Sequence, residues 1–322
     1  MSIRTTSALL VIVALVTLLV LSWDTQHIVR SEAERQASGE STTSDPAFPP
    51  GSIPPGSTVP GFREINALAE AFPGRITEVA LRDGQWALFL DGTWYYWAEG
   101  RILPDPVREE WNEFVPIRFY NYTLGEWSVP EVSPELEARL ASSTENRDND
   151  GRIRFNSFLD DLYGIDSRAV AEQTMEWVTI FNVSARVHPL VVKPLLRVEE
   201  RIRRAMQDDE ETRRYIDNLA AMHGYNWRVI AGTQRRSYHA YGMAVDLTPR
   251  SYGGLWAYWR WAADGGVPEW WRLGEDVRWH VPQGVIDAFE AEGFVWGGKW
   301  LFFDNVHFEY RPEVILMARL GG

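Results

Sequence analysis

The stretch that decides the fold is Ser237-Tyr-His239-Ala-Tyr-Gly242-Met-Ala244-Val-Asp246-Leu247. If its second half forms a strand, the alternation of side chains puts Ala244 and Asp246 on the same face. Gly242 allows a tight turn before that strand, so His239 can return over the face that carries the carboxylate. A histidine and a carboxylate beside a small side chain predict a metal pocket.

A second stretch follows about sixty residues later in the chain: Trp296-Gly-Gly-Lys-Trp300-Leu-Phe-Phe-Asp304-Asn-Val-His307-Phe-Glu309-Tyr310. Alternation in a strand would place His307 and Glu309 on one face. An uninterrupted strand would point Asp304 away from His307, so the two can share a site only if the chain turns at Asp304-Asn305. Aspartate and asparagine are common turn residues, which makes such a turn a reasonable prediction.

The chain contains no cysteine, so any metal ligands must be histidine, aspartate or glutamate. His239, Asp246 and His307 are the predicted ligands of a tetrahedral Zn²⁺ whose fourth position stays open, as in catalytic zinc sites. Asp304 is the predicted catalytic base, which accepts a proton and later returns it to the leaving amine. Glu309 is predicted to orient a ligand imidazole without binding the metal itself.

The two stretches, in this order and spacing, resemble the M15 family of zinc peptidases, the D-alanyl-D-alanine carboxypeptidase and L-alanyl-D-glutamate endopeptidase group. Asp304, three residues before the last histidine, is more similar to the endopeptidase branch. The resemblance implies an α+β fold of the hedgehog/DD-peptidase type, with packed helices and a small antiparallel sheet that carries the zinc site. It also implies hydrolysis of amide bonds in peptidoglycan stem peptides, of the D,D-carboxypeptidase or the L,D-endopeptidase type.

The resemblance further implies that an arginine and a serine bind the substrate, and Arg235 and Ser237 are the predicted pair. The loop before His239 is short, so Arg228 and Arg236 remain alternatives. Three of the remaining histidines are interpreted as structural or surface residues, with the one between the two stretches as the least certain. These histidines are His188, His223 and His280.

A rival hypothesis is a non-catalytic zinc-bearing binding module of the cell envelope, because hedgehog signalling domains share this zinc-bearing fold. Such a module has no need of Asp304 or of an open metal position, and both features favour the enzyme. A peptidase that trims small exported peptides is a further alternative.

The N-terminal part of the sequence predicts where the protein lies relative to the membrane. Arg4 precedes an apolar run at 8–21, which favours a signal anchor or signal peptide at 1–23 with the rest of the chain on the extracytoplasmic side of the membrane, in the cell envelope. Residues 24–60 are rich in Ser, Thr, Glu, Pro and Gly and predict a disordered linker. Membrane contact is expected through the N-terminal segment only.

Three further segments follow. Residues 61–145 predict a small β-rich subdomain, since Asp83-Gly84 and Asp91-Gly92 separate aromatic runs as hairpin turns do. Residues 146–224 show helical spacing and predict a helical region packed on the peptidase-like domain at 225–322. The stretch Asn146–Ser157 follows a calcium-loop pattern, but its last position is Ser157 where a glutamate is needed, so a linker is the preferred interpretation.

Charge narrows the choice of partner. Acidic residues outnumber Lys plus Arg by 45 to 32, which gives a formal net charge of −13. A field of that sign repels phosphate backbones, so no nucleic-acid partner is expected. Peptidoglycan stem peptides are the expected partner.

Overall fold

The described chain combines helices with small antiparallel sheets, which is the predicted α+β class. The structure is a computed structural model that describes residues 58–117, 119, 122–142, 152, 154–230, 233 and 235–320. Within these ranges, no helix is long and apolar enough to cross a bilayer. The membrane segment predicted at 1–23 lies outside the described residues, as do most of the linker at 24–60 and most of the calcium-like stretch at 146–157.

The chain's first sheet is a four-stranded antiparallel meander with the strands in sequence order. Tight turns at Asp83-Gly84 and Asp91-Gly92 join the first three strands, and both residues of each pair have positive φ. This geometry suits two-residue hairpins, so the predicted hairpins are confirmed. The elements are helix α1 (Phe62–Ala71), strands β1 (Ile76–Arg82), β2 (Gln85–Leu90), β3 (Thr93–Ala98) and β4 (Arg101–Pro104), and a 3₁₀ helix at Asp105–Glu113.

This meander does not form a separate core. The ring of Tyr95 packs edge-on against Phe158 at 5.3 Å, and its hydroxyl hydrogen-bonds to Asp161. One continuous cluster of buried apolar side chains runs from Ile65 in α1 to Phe308 near the end of the chain. The first sheet is thus attached to the rest of the described structure by shared packing.

Helices and one hairpin fill the middle of the chain. The helices are α2 (Pro134–Ser142), α3 (Ser157–Tyr163), α4 (Arg168–Thr174), α5 (Pro189–Ala205) and α6 (Glu210–Asp217). Helix α5 begins with His188 as its N-cap and buries Leu195, Val198 and Ile202, the three-to-four spacing of an amphipathic helix. Between α4 and α5 lies an antiparallel hairpin of β5 (Glu176–Ile180) and β6 (Val183–Val187), which the helical spacing did not predict.

The second four-stranded sheet has the order β7-β8-β10-β9 and is antiparallel throughout. Its strands are β7 (Leu219–His223), β8 (Ala244–Pro249), β9 (Phe294–Trp296) and β10 (His307–Tyr310). Both predicted strands of the deciding stretches are therefore present and adjacent. Strand β7 precedes the boundary predicted at 224–225, so the sheet extends across it.

Helices cover this second sheet. They are α7 (Trp259–Asp264), α8 (Gln283–Ala291) and α9 (Pro312–Leu320), with short 3₁₀ turns at Trp270–Arg272, Glu275–Val277 and Gly297–Lys299. Helix α8 packs on α5, and Phe289 of α8 stacks on Phe308 of β10 at 3.9 Å. The last helix, α9, packs against the first, α1.

Candidate metal centre

Three side-chain donor atoms converge on the second sheet. His239 Nε2 lies 3.2 Å from His307 Nδ1 and 3.2 Å from Asp246 Oδ1, and the latter two atoms are 2.7 Å apart. Among the described residues, this is the group of histidines and carboxylates arranged to hold a metal ion. The structure thus brings together the three predicted ligands.

The sheet register sets two of these positions. His307 of β10 is paired directly with Asp246 of β8, so both side chains stand on the same face. His239 comes from a 3₁₀ turn at Tyr238–Tyr241. Ser237 caps this turn, because its Oγ accepts a hydrogen bond from the backbone N–H of His239 at 3.3 Å. The turn ends at Gly242 in the left-handed region, with φ of 65°.

Each histidine is oriented by its second ring nitrogen. His239 Nδ1 lies 2.7 Å from the carbonyl oxygen of Gly224. A carbonyl can only accept, so Nδ1 carries the proton and Nε2 is free to bind a metal. His307 is held in the opposite sense, with Nε2 3.2 Å from Glu309 Oε1 and Nδ1 at the centre. This is the orienting contact predicted for Glu309.

The charges of the centre reinforce one another. Burial raises the pKa of the Asp246 carboxyl, but His239 and His307 outweigh it and hold that pKa below its usual range. Burial lowers the pKa of His307, yet hydrogen bonds to Asp246 and Glu309 raise it well above the ordinary value. Both carboxylates are therefore ionised, as metal ligation requires, whereas His307 has to release a proton when a metal binds.

The donor spacing suits zinc. Tetrahedral bonds of about 2.0–2.1 Å separate neighbouring ligand atoms by about 3.3 Å. The observed separations of 2.7 to 3.2 Å are close to that value. Two imidazole nitrogens and one carboxylate oxygen are also a donor set that leaves an open position in a tetrahedral site. The residues present therefore fit a Zn²⁺ ion.

Asp304 stands beside this centre at the start of a turn. Its carbonyl oxygen accepts from the backbone N–H of His307 at 3.2 Å, which closes the turn predicted at Asp304-Asn305. Its Oδ1 atom is buried and finds no hydrogen-bond partner among the described residues. Burial raises the pKa of this carboxyl to about 6, while His307 lowers it and Asp246 raises it. A partly buried carboxyl with a raised pKa is suited to exchange protons.

The Trp-Gly-Gly motif gives this turn room. A Cβ at Gly297 would lie 2.6 Å from the backbone oxygen of Asp304, closer than atoms can approach. The Asp304 N–H also donates to the Gly297 carbonyl at 3.1 Å. A larger residue at this position would push Asp304 away from the centre.

A cavity of about 360 Å³ opens beside the two ligands His239 and Asp246. Its other walls come from β5 and β6, from the end of β7 and from the loop after β7. Besides the two ligands, its lining consists of Trp177, Ser184, Ala185, Arg186, Met222, His223, Gly224, Tyr225, Asn226 and Arg228. The cavity therefore forms a cleft that leads to the candidate metal centre.

The three candidate arginines lie in different surroundings. Arg228 is exposed, lines the cleft and is near enough to lower the pKa of Asp304. Arg235 is 7% exposed and is not among the cleft residues, and Arg236 pairs with Asp160 at 2.5 Å. Ser237 is buried as the cap of the turn that carries His239. The role predicted for Arg235 and Ser237 in substrate binding remains a prediction, while Arg228 is the one of the three candidates that lines the cleft.

Sequence reasoning missed two residues of the site. His223 was interpreted as an ordinary histidine, but its strand position is opposite Asp246 and it lines the cleft. Gly224 contributes only a carbonyl, which no side-chain pattern reveals. The residues of Leu219–His223 include no β-branched side chain, so their composition did not mark them as a strand. The other two histidines lie elsewhere: His188 caps α5, and His280 packs on Trp127 at 4.6 Å.

Comparison with known proteins gives two matches to family models. Residues 64–119, which hold α1 and the first sheet, match a domain of unknown function, DUF8518. Searches of curated proteins and of solved structures found no match. Residues 231–310, which contain His239, Asp246, Asp304 and His307, match the family model of D-alanyl-D-alanine carboxypeptidases, so this part of the chain is similar to the M15 peptidases.

Proposed function

We propose that the protein is a zinc metallopeptidase that hydrolyses amide bonds in peptidoglycan stem peptides, as a D,D-carboxypeptidase or an L,D-endopeptidase. The observation that carries the proposal is the convergence of His239, Asp246 and His307 within 3.2 Å of one another. The family match over 231–310 supports a peptidase domain for such substrates. The cleft beside the ligands provides space for a peptide.

The chemistry divides between the metal and the chain. A zinc ion held by the three ligands would polarise the scissile carbonyl and activate a water. Asp304 takes the proton that the attacking water loses as its oxygen bonds to the carbonyl carbon. As the carbon–nitrogen bond breaks, Asp304 returns that proton to the leaving nitrogen, which departs as an amine. A pKa of about 6 for Asp304 allows both steps near neutral pH.

Substrate positioning is assigned to Arg228. Its guanidinium lines the cleft that holds His239 and Asp246, and it has the charge to bind a substrate carboxylate. Arg236 is less suited because Asp160 and Tyr241 already engage its Nη1. We also propose that the reaction takes place in the cell envelope, outside the cytoplasmic membrane, since the peptides of the wall lie there.

The test is digestion of purified peptidoglycan by the zinc-loaded chain, with released peptides identified by mass spectrometry. Asp304→Asn keeps the size of the side chain but cannot accept a proton, so we expect a loss of release of at least about 100-fold. Asp276→Asn, at an exposed position in a 3₁₀ turn, is the matched control and should behave as the parent. A chelator should abolish release, and added zinc should restore it.

The outcomes separate the hypotheses. The masses of the products distinguish loss of a terminal D-alanine from cleavage within the stem. Zinc binding without release from wall or synthetic stem peptides would contradict the proposal and favour the non-catalytic binding module. Release that Asp304→Asn leaves unchanged would remove this residue from the mechanism.

A further inference from the structure

The β5–β6 hairpin turns a polar face and one tryptophan toward solvent. Trp177 pairs with Arg186 across the hairpin, and Thr179 pairs with Ser184, so these four side chains share a face. The opposite face is buried in the common core and consists of Val178, Ile180, Ala185 and Val187. The hairpin therefore packs on the core through its apolar face, and its polar face is turned away from the core.

Trp177 is 71% exposed and lines the cleft beside the candidate metal centre. The hairpin has a well-packed apolar face, so an exposed indole on its other face contributes little to folding. Large aromatic side chains left exposed in a cleft are typical of ligand contacts. The hairpin precedes residues 231–310, so it is an element outside the matched peptidase segment.

The charge of the cleft contrasts with that of the whole chain. The chain carries a formal charge of −13, yet the side chains that line the cleft include Arg186 and Arg228. The single carboxylate in the lining, Asp246, already contacts His239 and His307. A basic cleft in an acidic protein favours an anionic ligand.

Arg186 is fixed in place by its neighbours. Its guanidinium lies over the ring of Tyr225, 5.5 Å from the centroid, and its Nη2 donates to the backbone carbonyl of Glu172. Both contacts leave other N–H groups of the guanidinium available. A planar guanidinium held in one orientation is suited to bind a carboxylate with two parallel hydrogen bonds.

We propose that the face formed by Trp177 and Arg186 is a specificity subsite for a substrate side chain that is aliphatic and ends in a carboxylate. Arg186 binds the carboxylate, and the indole of Trp177 covers the methylene chain. This inference rests on the proposed function, because it assigns the subsite to a peptide whose scissile bond lies at the metal centre. The side chain belongs to a residue next to those that the scissile bond joins.

The test measures binding and turnover separately. The probes are a stem pentapeptide with meso-diaminopimelate at its third position, and the same peptide with the side-chain carboxylate converted to a carboxamide. Calorimetry with the zinc-loaded full chain carrying Asp304→Asn gives affinities without hydrolysis. We expect the carboxylate peptide to bind at least about tenfold more tightly than the carboxamide.

Two variants and two controls locate the effect. Arg186→Gln should bring the ratio of the two affinities close to one, whereas Arg214→Gln, at an exposed arginine of α6, should leave the ratio unchanged. Trp177→Ala should weaken the binding of both peptides alike, by about fivefold or more. Trp111→Ala, at another exposed tryptophan, should leave both affinities unchanged.

Three results would overturn the subsite: equal affinity of the parent for both peptides, a ratio that survives Arg186→Gln, or binding of neither peptide. Failure of the proposed function is distinguished by turnover. A chain with intact Asp304 that binds the carboxylate peptide selectively but hydrolyses neither peptide would contradict the peptidase and retain the subsite.

Discussion

Asp304 is a carboxyl group in surroundings that favour its neutral form. Its buried Oδ1 atom has no hydrogen-bond partner among the described residues, and burial raises its pKa to about 6. The folded chain therefore binds this proton more tightly than the unfolded chain, whose aspartates titrate near about 3.9. As pH rises from the pKa of the unfolded state, about 3.9, to that of the folded state, about 6, ionisation of Asp304 reduces the stability of the fold.

We predict that Asp304→Asn stabilises the chelator-treated protein at pH 8 by about 1–2 kcal/mol, because asparagine has no charge to bury. The gain should shrink as pH falls through 6 toward 4, where the parent Asp304 is neutral in the folded state. Urea denaturation of the parent and the variant at several pH values measures the difference in their free energies of unfolding. A gain that does not depend on pH would contradict the raised pKa.

Glu309 contacts the candidate metal centre through His307. Its Oε1 atom lies 3.2 Å from the ring nitrogen that faces away from the centre. We predict that Glu309→Gln weakens zinc binding about 10–100-fold, the usual effect of losing such a partner. Competition with a chromophoric chelator measures the affinity. Glu292→Gln is the control, since Glu292 is also buried but pairs with Arg197 and Arg201; an equal loss in both variants would point to general destabilisation.

Much of the candidate metal centre could be predicted from the spacing of its residues within each stretch of sequence. Alternation in a strand correctly put Asp246 beside Ala244 and His307 beside Glu309, because such placement depends on local geometry alone. The choice among the arginines could not be made in this way. Which of Arg228, Arg235 and Arg236 reaches the cleft depends on the path of a loop and on partners such as Asp160, which is distant in sequence.

At the scale of elements, one glycine joins the turn that holds His239 to strand β8. Gly242 has φ of 65°, and a Cβ there would lie 2.3 Å from Met175 Sδ and 2.6 Å from the backbone nitrogen of His188. The turn, the strand and the start of α5 therefore meet at a position without space for a side chain.

We predict that Gly242→Ala destabilises the fold by about 2–4 kcal/mol, since a strained φ and a steric clash add together. Gly254→Ala is a matched control, because Gly254 also has positive φ but its Cβ would meet nothing within 4 Å. That control should lose only about 1–2 kcal/mol. Equal losses in denaturant unfolding would show that the clash is relieved at little cost.

The hairpins illustrate what local signals can predict among the elements. Asp-Gly pairs identified the turns of the first sheet. The β5–β6 turn is made by Phe181 and Asn182 at φ of 47° and 63°, with no glycine to mark it. Strand β7 was missed for another reason: its five residues lie between helical runs, and only pairing with β8 makes them a strand.

At the scale of the whole molecule, the apolar core joins segments that the sequence divides. The buried cluster includes side chains of α1, the first sheet, α5, α8 and the second sheet. Strand β7 belongs to the sheet of the metal centre although it lies before the predicted boundary at 224–225. Stability is therefore expected to be a property of the described chain from 58 onward.

We predict that a fragment of residues 58–322 unfolds in one cooperative transition, while a fragment of residues 225–322 does not fold. The shorter fragment lacks an edge strand of its sheet and the helix that covers α8. Near-ultraviolet circular dichroism during urea unfolding tests both. A cooperative transition in the shorter fragment would show that the peptidase-like segment is an independent domain.

The packing of α1 against α9 also bears on the kinetics of folding. Helix α1 contacts helix α9, so this contact can form only after the chain has been synthesised through residue 320. Contacts between segments so distant in sequence slow folding, because a large loop must close before they form. The face of α1 that packs against α9 should thus stay uncovered until late in synthesis, and the nascent chain should be most prone to aggregate before α9 emerges.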